Sequence, residues 1–216
     1  MTLCHILQWP APQLHESSER VIQFDIELNQ LVTDMYDTLN IARGAGIAAP
    51  QINVHKRVII LKCSLFDYLN EDPYDKDPDI LVLVNPQLEL AGEDIRWDEA
   101  CLSLPDIMGR VCRKSLVRLK YQNLKGEEKK LAVGWPFSGA LQHECDHLDG
   151  FLFIDRMGKR AGIELKKELR RKLRLRGVQP SKKIKIKQEK ELIDTRLTHG
   201  PGKRKKGKRK KSRRKK

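Results

Sequence analysis

No apolar run in the 216-residue chain approaches the roughly 18 residues that a membrane-spanning helix needs. The first twenty residues, MTLCHILQWPAPQLHESSER, lack a basic stretch followed by an apolar one, and they include Glu16 and Glu19. Neither a secretory leader nor a transit peptide is expected from them. Cysteines are few: Cys4, Cys63, Cys101, Cys112 and Cys145 are odd in number, and no two stand in a CxxC spacing. That excludes a small disulfide scaffold and favours a reducing compartment. Aromatic residues are absent beyond Phe153, and there is no internal repeat. A soluble, cytoplasmic chain that acts as a monomer and has no membrane partner is expected.

Acidic residues are scarce in one part of the chain only. From Lys159 to Lys216 there are 27 Lys and Arg against 5 Asp and Glu, whereas the first 158 residues carry 16 against 24. The formal charge of +14 therefore averages a mildly acidic body with a very basic C-terminal segment, and each needs its own explanation.

Periodicity gives the body its elements. DIELNQLVTDMYDTLNIA puts Leu28, Leu31, Val32, Met35, Leu39 and Ala42 on one helical stripe, with Asp25 as N-cap and Gly44 as a stop signal. RVIILK (57–62) and ILVLVNP (80–86) are β-branched runs of buried-strand type. DYLNEDPYDKDPD (67–79) between them is acidic and Pro-bearing, which predicts a surface loop. SLVRLKY (115–121) and KKLAVG (129–134) predict two antiparallel strands. A helix is predicted from Phe137 to about Leu148, just after Pro136 and closed by Gly150. A second, AGIELKKELRRKLRLRG, has Ile163, Leu165, Leu169 and Leu173 to bury and a face dense in Lys and Arg. The remainder, ending GPGKRKKGKRKKSRRKK, cannot bury a core and is expected to be disordered alone. The fold class is α+β: antiparallel or mixed sheets around one central helix. The expected division is a catalytic body over 1–160, a basic helix over 161–177 and a Lys/Arg-rich tail over 178–216.

The central helix contains His-Glu-x-x-His at His143, Glu144 and His147. Residues four apart share a helix face, so both imidazoles can meet one ion, with Glu144 beside them to take a proton from water at that ion. The plain alternative is a helix with two surface histidines. Three routes could supply a third ligand. In HExxHxxGxxH the last histidine would fall at 153, which is Phe153, so that route fails. Glu168 stands at a suitable distance downstream, but in KKELRRK an ordinary surface ion pair accounts for it better. Cys101, in DEACLSLP, would complete a soft site of one thiolate and two imidazoles with one position open; alone, it equally fits a small buried hydrophobe. Ligand chemistry leaves that choice open.

GAGIAAPQ (Gly44 to Gln51), EACLSLP (Glu99 to Pro105) and QHECDHLDG (Gln142 to Gly150) occur in this order. Together they resemble the three signature blocks of peptide deformylases, GxGxAAxQ, EGCLS and QHExDHL, and the resemblance covers about residues 3 to 160. It implies that Cys101, His143 and His147 bind the metal and that Glu144 is the general acid/base. It further implies that the Gln51 side-chain amide and the Leu102 backbone N–H form an oxyanion hole. The metal it implies is Fe(II), with Ni, Co or Zn as substitutes. The implied activity is hydrolysis of the N-formyl group from formylmethionyl nascent peptides, which would lie as an added strand along Gly44, Ala45 and Gly46.

One departure stands out: Ala100 replaces the family's glycine before the cysteine. A positive φ there would strain alanine by roughly 1 kcal/mol or more, whereas a negative φ would cost little. Cys145, two residues after His143, faces away from the ion and is expected to pack. His5, His15, His55 and His199 match no motif. The basic segment is dense enough to bind phosphate by counterion release without reading sequence, and ribosomal RNA is the partner such a body would meet. The alternative function is a catalytically impaired deformylase-like protein that acts mainly by binding RNA through this tail.

Overall fold

The structure is a computed structural model that describes residues 3–66, 68 and 72–175. The expected disordered tail lies outside the described residues. In chain order the elements are α1 (Ile26–Ala42), β1 (Gly46–Ala48), β2 (Val58–Lys62), β3 (Pro73–Tyr74), β4 (Asp77–Cys101), β5 (Leu104–Gln122), β6 (Glu128–Gly134), α2 (Phe137–Leu148), α3 (Phe153–Arg156) and α4 (Lys159–Leu175). Hydrogen bonding orders the sheet β1-β2-β4-β5-β6, with β3 beside β4, and these strand pairs are all antiparallel. The α+β class is as the sequence predicts.

Asp25 caps α1 by accepting from the Glu27 and Leu28 amides. The helix ends at Arg43, whose φ of 53° is left-handed, so the stop precedes Gly44. Leu28, Val32, Met35 and Leu39 of α1 pack on Ile60, Val82 and Val84. The alternate residues Ile59, Leu61, Leu81 and Leu83 face α2 through Leu141 and Leu148. The centre of the sheet is thus covered on both faces, which is why β2 and the start of β4 read as continuous apolar runs rather than alternating ones.

Four expectations change in detail. The predicted loop over 67–79 contains β3 and the start of β4. The strand over 80–86 is the first third of β4, and β5 likewise begins eleven residues before Ser115. These two strands form a long hairpin bent by register shifts at Val84/Gln87, Ala91/Asp94 and Ala100/Cys101. At the second shift Gly92 takes φ +75° with Ser115 Oγ against the place of a Cβ, so only glycine fits the bend. Finally, α4 buries Leu169 and half-buries Leu165 and Leu173 against the hairpin tip, but Ile163 remains 42% exposed because it points off that face. The hairpin tip carries Cys101, and α2 carries the two histidines.

Candidate metal centre

Every residue of α2, from Phe137 to Leu148, is buried, so each polar side chain on it needs a partner. Gln142 clamps the Lys114 peptide unit, accepting from its N–H at 3.0 Å and donating to its C=O at 2.8 Å. Asp146 accepts from Arg113 Nη1 at 2.5 Å and from Arg156 Nη2 at 2.5 Å. These contacts seat the helix against β5 and leave His143, Glu144 and His147 as the polar side chains available to a reacting site. Cys145 packs in the apolar cluster, where burial pushes its thiol well above the ordinary range.

Cys101 Sγ lies 3.2 Å from His147 Nε2, and the ligating atoms of Cys101, His143 and His147 are all within 4.8 Å of one another. His143 Nδ1 is 2.7 Å from Glu99 Oε2. Donating its proton there leaves Nε2 with a lone pair for the site, the usual arrangement behind a metal-bound imidazole. Glu144 Oε2 and His147 Nδ1 are buried without a hydrogen-bond partner. One thiolate, two imidazoles and an unbonded carboxylate oxygen beside them suit a divalent cation with an open coordination position. Glu168, the rival third ligand, is instead paired with Lys172 one turn along α4 at 3.4 Å. Phe153 is buried with its ring stacked 6.3 Å from that of His143, which is the packing role of that position.

Glu99 is the centre of the electrostatics. Burial disfavours its charge, but hydrogen bonds and charges from Arg113 and His143 outweigh burial and hold the carboxyl down at about 2. Burial pushes Glu144 the other way, to about 7, with the His143 charge opposing and Glu99 adding. Burial also works against charge on both imidazoles. The Cys101 and Glu99 hydrogen bonds nevertheless raise His143 well above the histidine range, while burial and the charges of His143 and Arg113 take His147 well below it. A cation in the site competes with the His143 proton, since an imidazole ligates only when that nitrogen is bare.

The first signature block reaches the same cleft. Gln51 is fixed end to end: its Oε1 accepts from the Ala48 N–H at 2.8 Å, and its Nε2 donates to Ser103 Oγ at 3.1 Å while facing Cys101 Sγ at 3.6 Å. A Cβ on Gly46 would lie 2.9 Å from Glu144 Oε1 and 2.6 Å from Leu61 Cδ2. That glycine therefore makes room for the Glu144 carboxylate as well as leaving the backbone approachable. β1 pairs only with β2, so its other edge is open along the cleft. The cleft has a volume of about 640 Å³, and eight of the nine residues expected to form the site line it; His147, 1% exposed, does not. Ala100 is not among the non-glycine residues with positive φ, which are Arg43, Asn53, Asn85 and Asp106. The alanine is unstrained.

Four contributors went unrecognised in the sequence. Glu99 stood inside a quoted block with no task, and Arg113, Asp146 and Trp97 carried no motif. The N-terminal segment also ties two blocks together: Leu7 N–H donates to Gln51 O at 2.7 Å and Trp9 N–H to Ser103 O at 2.9 Å.

Residues 3–162 match the polypeptide deformylase family model. A peptide deformylase of Campylobacter jejuni is 38% identical over 168 residues, 77% of this chain and 93% of that protein. Among solved structures, a Plasmodium falciparum peptide deformylase in complex with an inhibitor has a TM-score of 0.67 at 31% identity, covering 79% of this chain and 99% of that one. A Legionella pneumophila peptide deformylase has a TM-score of 0.70 at 29% identity, covering 83% and 100%.

Replacing Arg113 by Met leaves Glu99 and Asp146 buried without their shared cation. Urea unfolding should show a loss of about 3–5 kcal/mol. A loss below about 1 kcal/mol would mean that water or relaxation compensates these carboxylates without the guanidinium.

Proposed function

The chain belongs to the polypeptide deformylase family, and from that membership we propose how its own residues divide the reaction. It is a metal-dependent hydrolase of protein biosynthesis that removes the N-formyl group from newly synthesised polypeptides. In the proposed assignment Cys101, His143 and His147 hold the ion, Glu144 carries protons, and Gln51 with the Leu102 N–H receives the oxyanion. The observation behind it is the convergence of all three signature blocks on one cleft, with Cys101 Sγ 3.2 Å from His147 Nε2. The ion, when bound, acidifies water and polarises the formyl carbonyl. Fe(II) is the proposed ion, on the family resemblance, with Ni, Co or Zn able to stand in.

Glu144 takes a proton from the water that adds to the formyl carbon. Its buried carboxyl, at about 7, can hold that proton or release it near neutral pH. Negative charge then develops on the formyl oxygen. Gln51 Nε2–H, pre-set by the Ala48 hydrogen bond, and the Leu102 N–H stabilise it. Glu144 returns the proton to the amide nitrogen, the C–N bond breaks, and formate and a free α-amine leave. The peptide pairs with the open edge of β1 along Gly44, Ala45 and Gly46, and its first side chain enters the apolar part of the cleft by Leu61, Phe66 and Ala140. A formyl group is small enough for this site, and a bulkier acyl group is not.

The proposed setting is cytoplasmic. Among the described residues no helix is long and apolar enough to cross a membrane. We further propose a monomer whose basic segment, Lys159 to Lys216, binds ribosomal RNA by counterion release. The reading as an impaired enzyme drew on Ala100, and the absence of positive φ there removes that ground.

Formate release from formyl-Met-Ala-Ser, by protein loaded anaerobically with Fe(II) or with Ni(II), tests the assignment. Glu144→Ala should lower kcat by about 10²-fold or more yet still bind one ion, and Cys101→Ala should lose the ion. Unchanged turnover in either variant overturns its role. Sedimentation with ribosomes tests the tail: affinity should fall steeply between about 50 and 200 mM salt and vanish on deletion of residues 176–216. Binding that is insensitive to salt contradicts an electrostatic contact.

A further inference from the structure

Trp97 stands two residues before Glu99 on β4, so the two side chains share a face, and its indole Nε1–H donates to Glu99 Oε1 at 2.8 Å. The remaining donors to this carboxylate are Arg113 Nε and Nη2, at 2.7 and 2.9 Å, and His143 Nδ1, at 2.7 Å. Each oxygen therefore receives two hydrogen bonds, which fills the acceptor capacity of a carboxylate. The indole ring itself is half-buried and lines the cleft beside Phe66 and Ala140. Trp135 braces it edge-on, with centroids 4.6 Å apart and an interplanar angle of 78°. Gly139 of α2 admits the pair, since a Cβ there would lie 2.7 Å from Trp135 Cζ3 and 3.3 Å from Trp97 Cζ2.

One side chain is thus a wall of the cleft and a donor to the carboxylate that orients an imidazole. We infer that Trp97 is a positioning and specificity-determining residue: its ring receives the side chain of the N-terminal methionine, and its N–H steadies Glu99 and, through Glu99, His143. The inference rests on the proposed reading that His143 is a ligand and that the cleft takes the peptide. A thioether makes favourable contact with an aromatic face or edge, and a ring held between Trp135 and Glu99 has little freedom to move away from it.

Two variants separate the two tasks. Trp97→Phe keeps a ring at the wall and removes the N–H. In competition with a chromophoric chelator its Ni(II) affinity should fall about tenfold, the lower end of what loss of such outer contacts costs. Its Kd for the product peptide Met-Ala-Ser, measured by calorimetry on Ni-saturated protein, should stay within about twofold of the unmodified chain. Trp97→Ala should lose both, with peptide binding weakened about tenfold or more; if it does not fold, Trp97→Leu takes its place. Ni(II) affinity unchanged in Trp97→Phe overturns the positioning role, and peptide affinity unchanged in Trp97→Ala or Trp97→Leu overturns the wall. If the unmodified chain binds no Ni(II), the ligand assignment beneath the inference fails instead, which is a distinguishable result.

Discussion

A buried carboxylate, that of Glu99, joins the two halves of this site. It lies on the hairpin arm that ends in Cys101, and it accepts from His143 on the helix and from Arg113 on the opposite arm. Stripping water from a carboxylate costs several kcal/mol, which only close opposite charge and saturated hydrogen bonding offset. Arg113 supplies that charge and spends its remaining nitrogen on Asp146, which also accepts from Arg156. Arg156 in turn lies 4.3 Å above the Phe151 ring. Two carboxylates and two guanidinium groups thus cancel across β4, β5, α2 and α3, and the cysteine and the histidines cannot drift apart without breaking the chain of contacts.

Two small residues of the signature blocks have opposite physical status. Gly46 is obligatory because the Glu144 carboxylate and Leu61 occupy the space of a Cβ; an alanine there would push the proton carrier aside. Ala100, where the family pattern has glycine, is tolerated because its backbone is not left-handed and its methyl is exposed to the cleft. Glycine in a motif therefore carries two separate meanings, close approach and backbone freedom, and in these blocks close approach is the one that binds at Gly46.

Much of the fold was legible because burial leaves a periodic trace. α2 starts after Pro136 and ends at Leu148 as the sequence predicts, and Asp25 caps α1 through two amides. The long β4–β5 hairpin was only half visible. Over IRWDEAC one face is solvated and the residues that turn inward, Trp97 and Glu99, are an indole and a carboxylate rather than aliphatic. For the site, spacing exposed His143, Glu144 and His147, but the third ligand needed the order of three blocks, since Glu168 and Cys101 were both chemically open. Arg113 and Asp146 left no trace at all: a lone Arg or Asp in sequence reads as surface, and only the fold reveals that each is buried against an opposite charge.

The most direct test of the account is X-ray absorption at the metal edge of the Zn-loaded protein. The proposed ligands require one sulfur at about 2.3 Å and two imidazole nitrogens at about 2.0 Å, with the sulfur signal lost in Cys101→Ser. A shell without sulfur, or one whose sulfur survives that substitution, would contradict Cys101 as the third ligand.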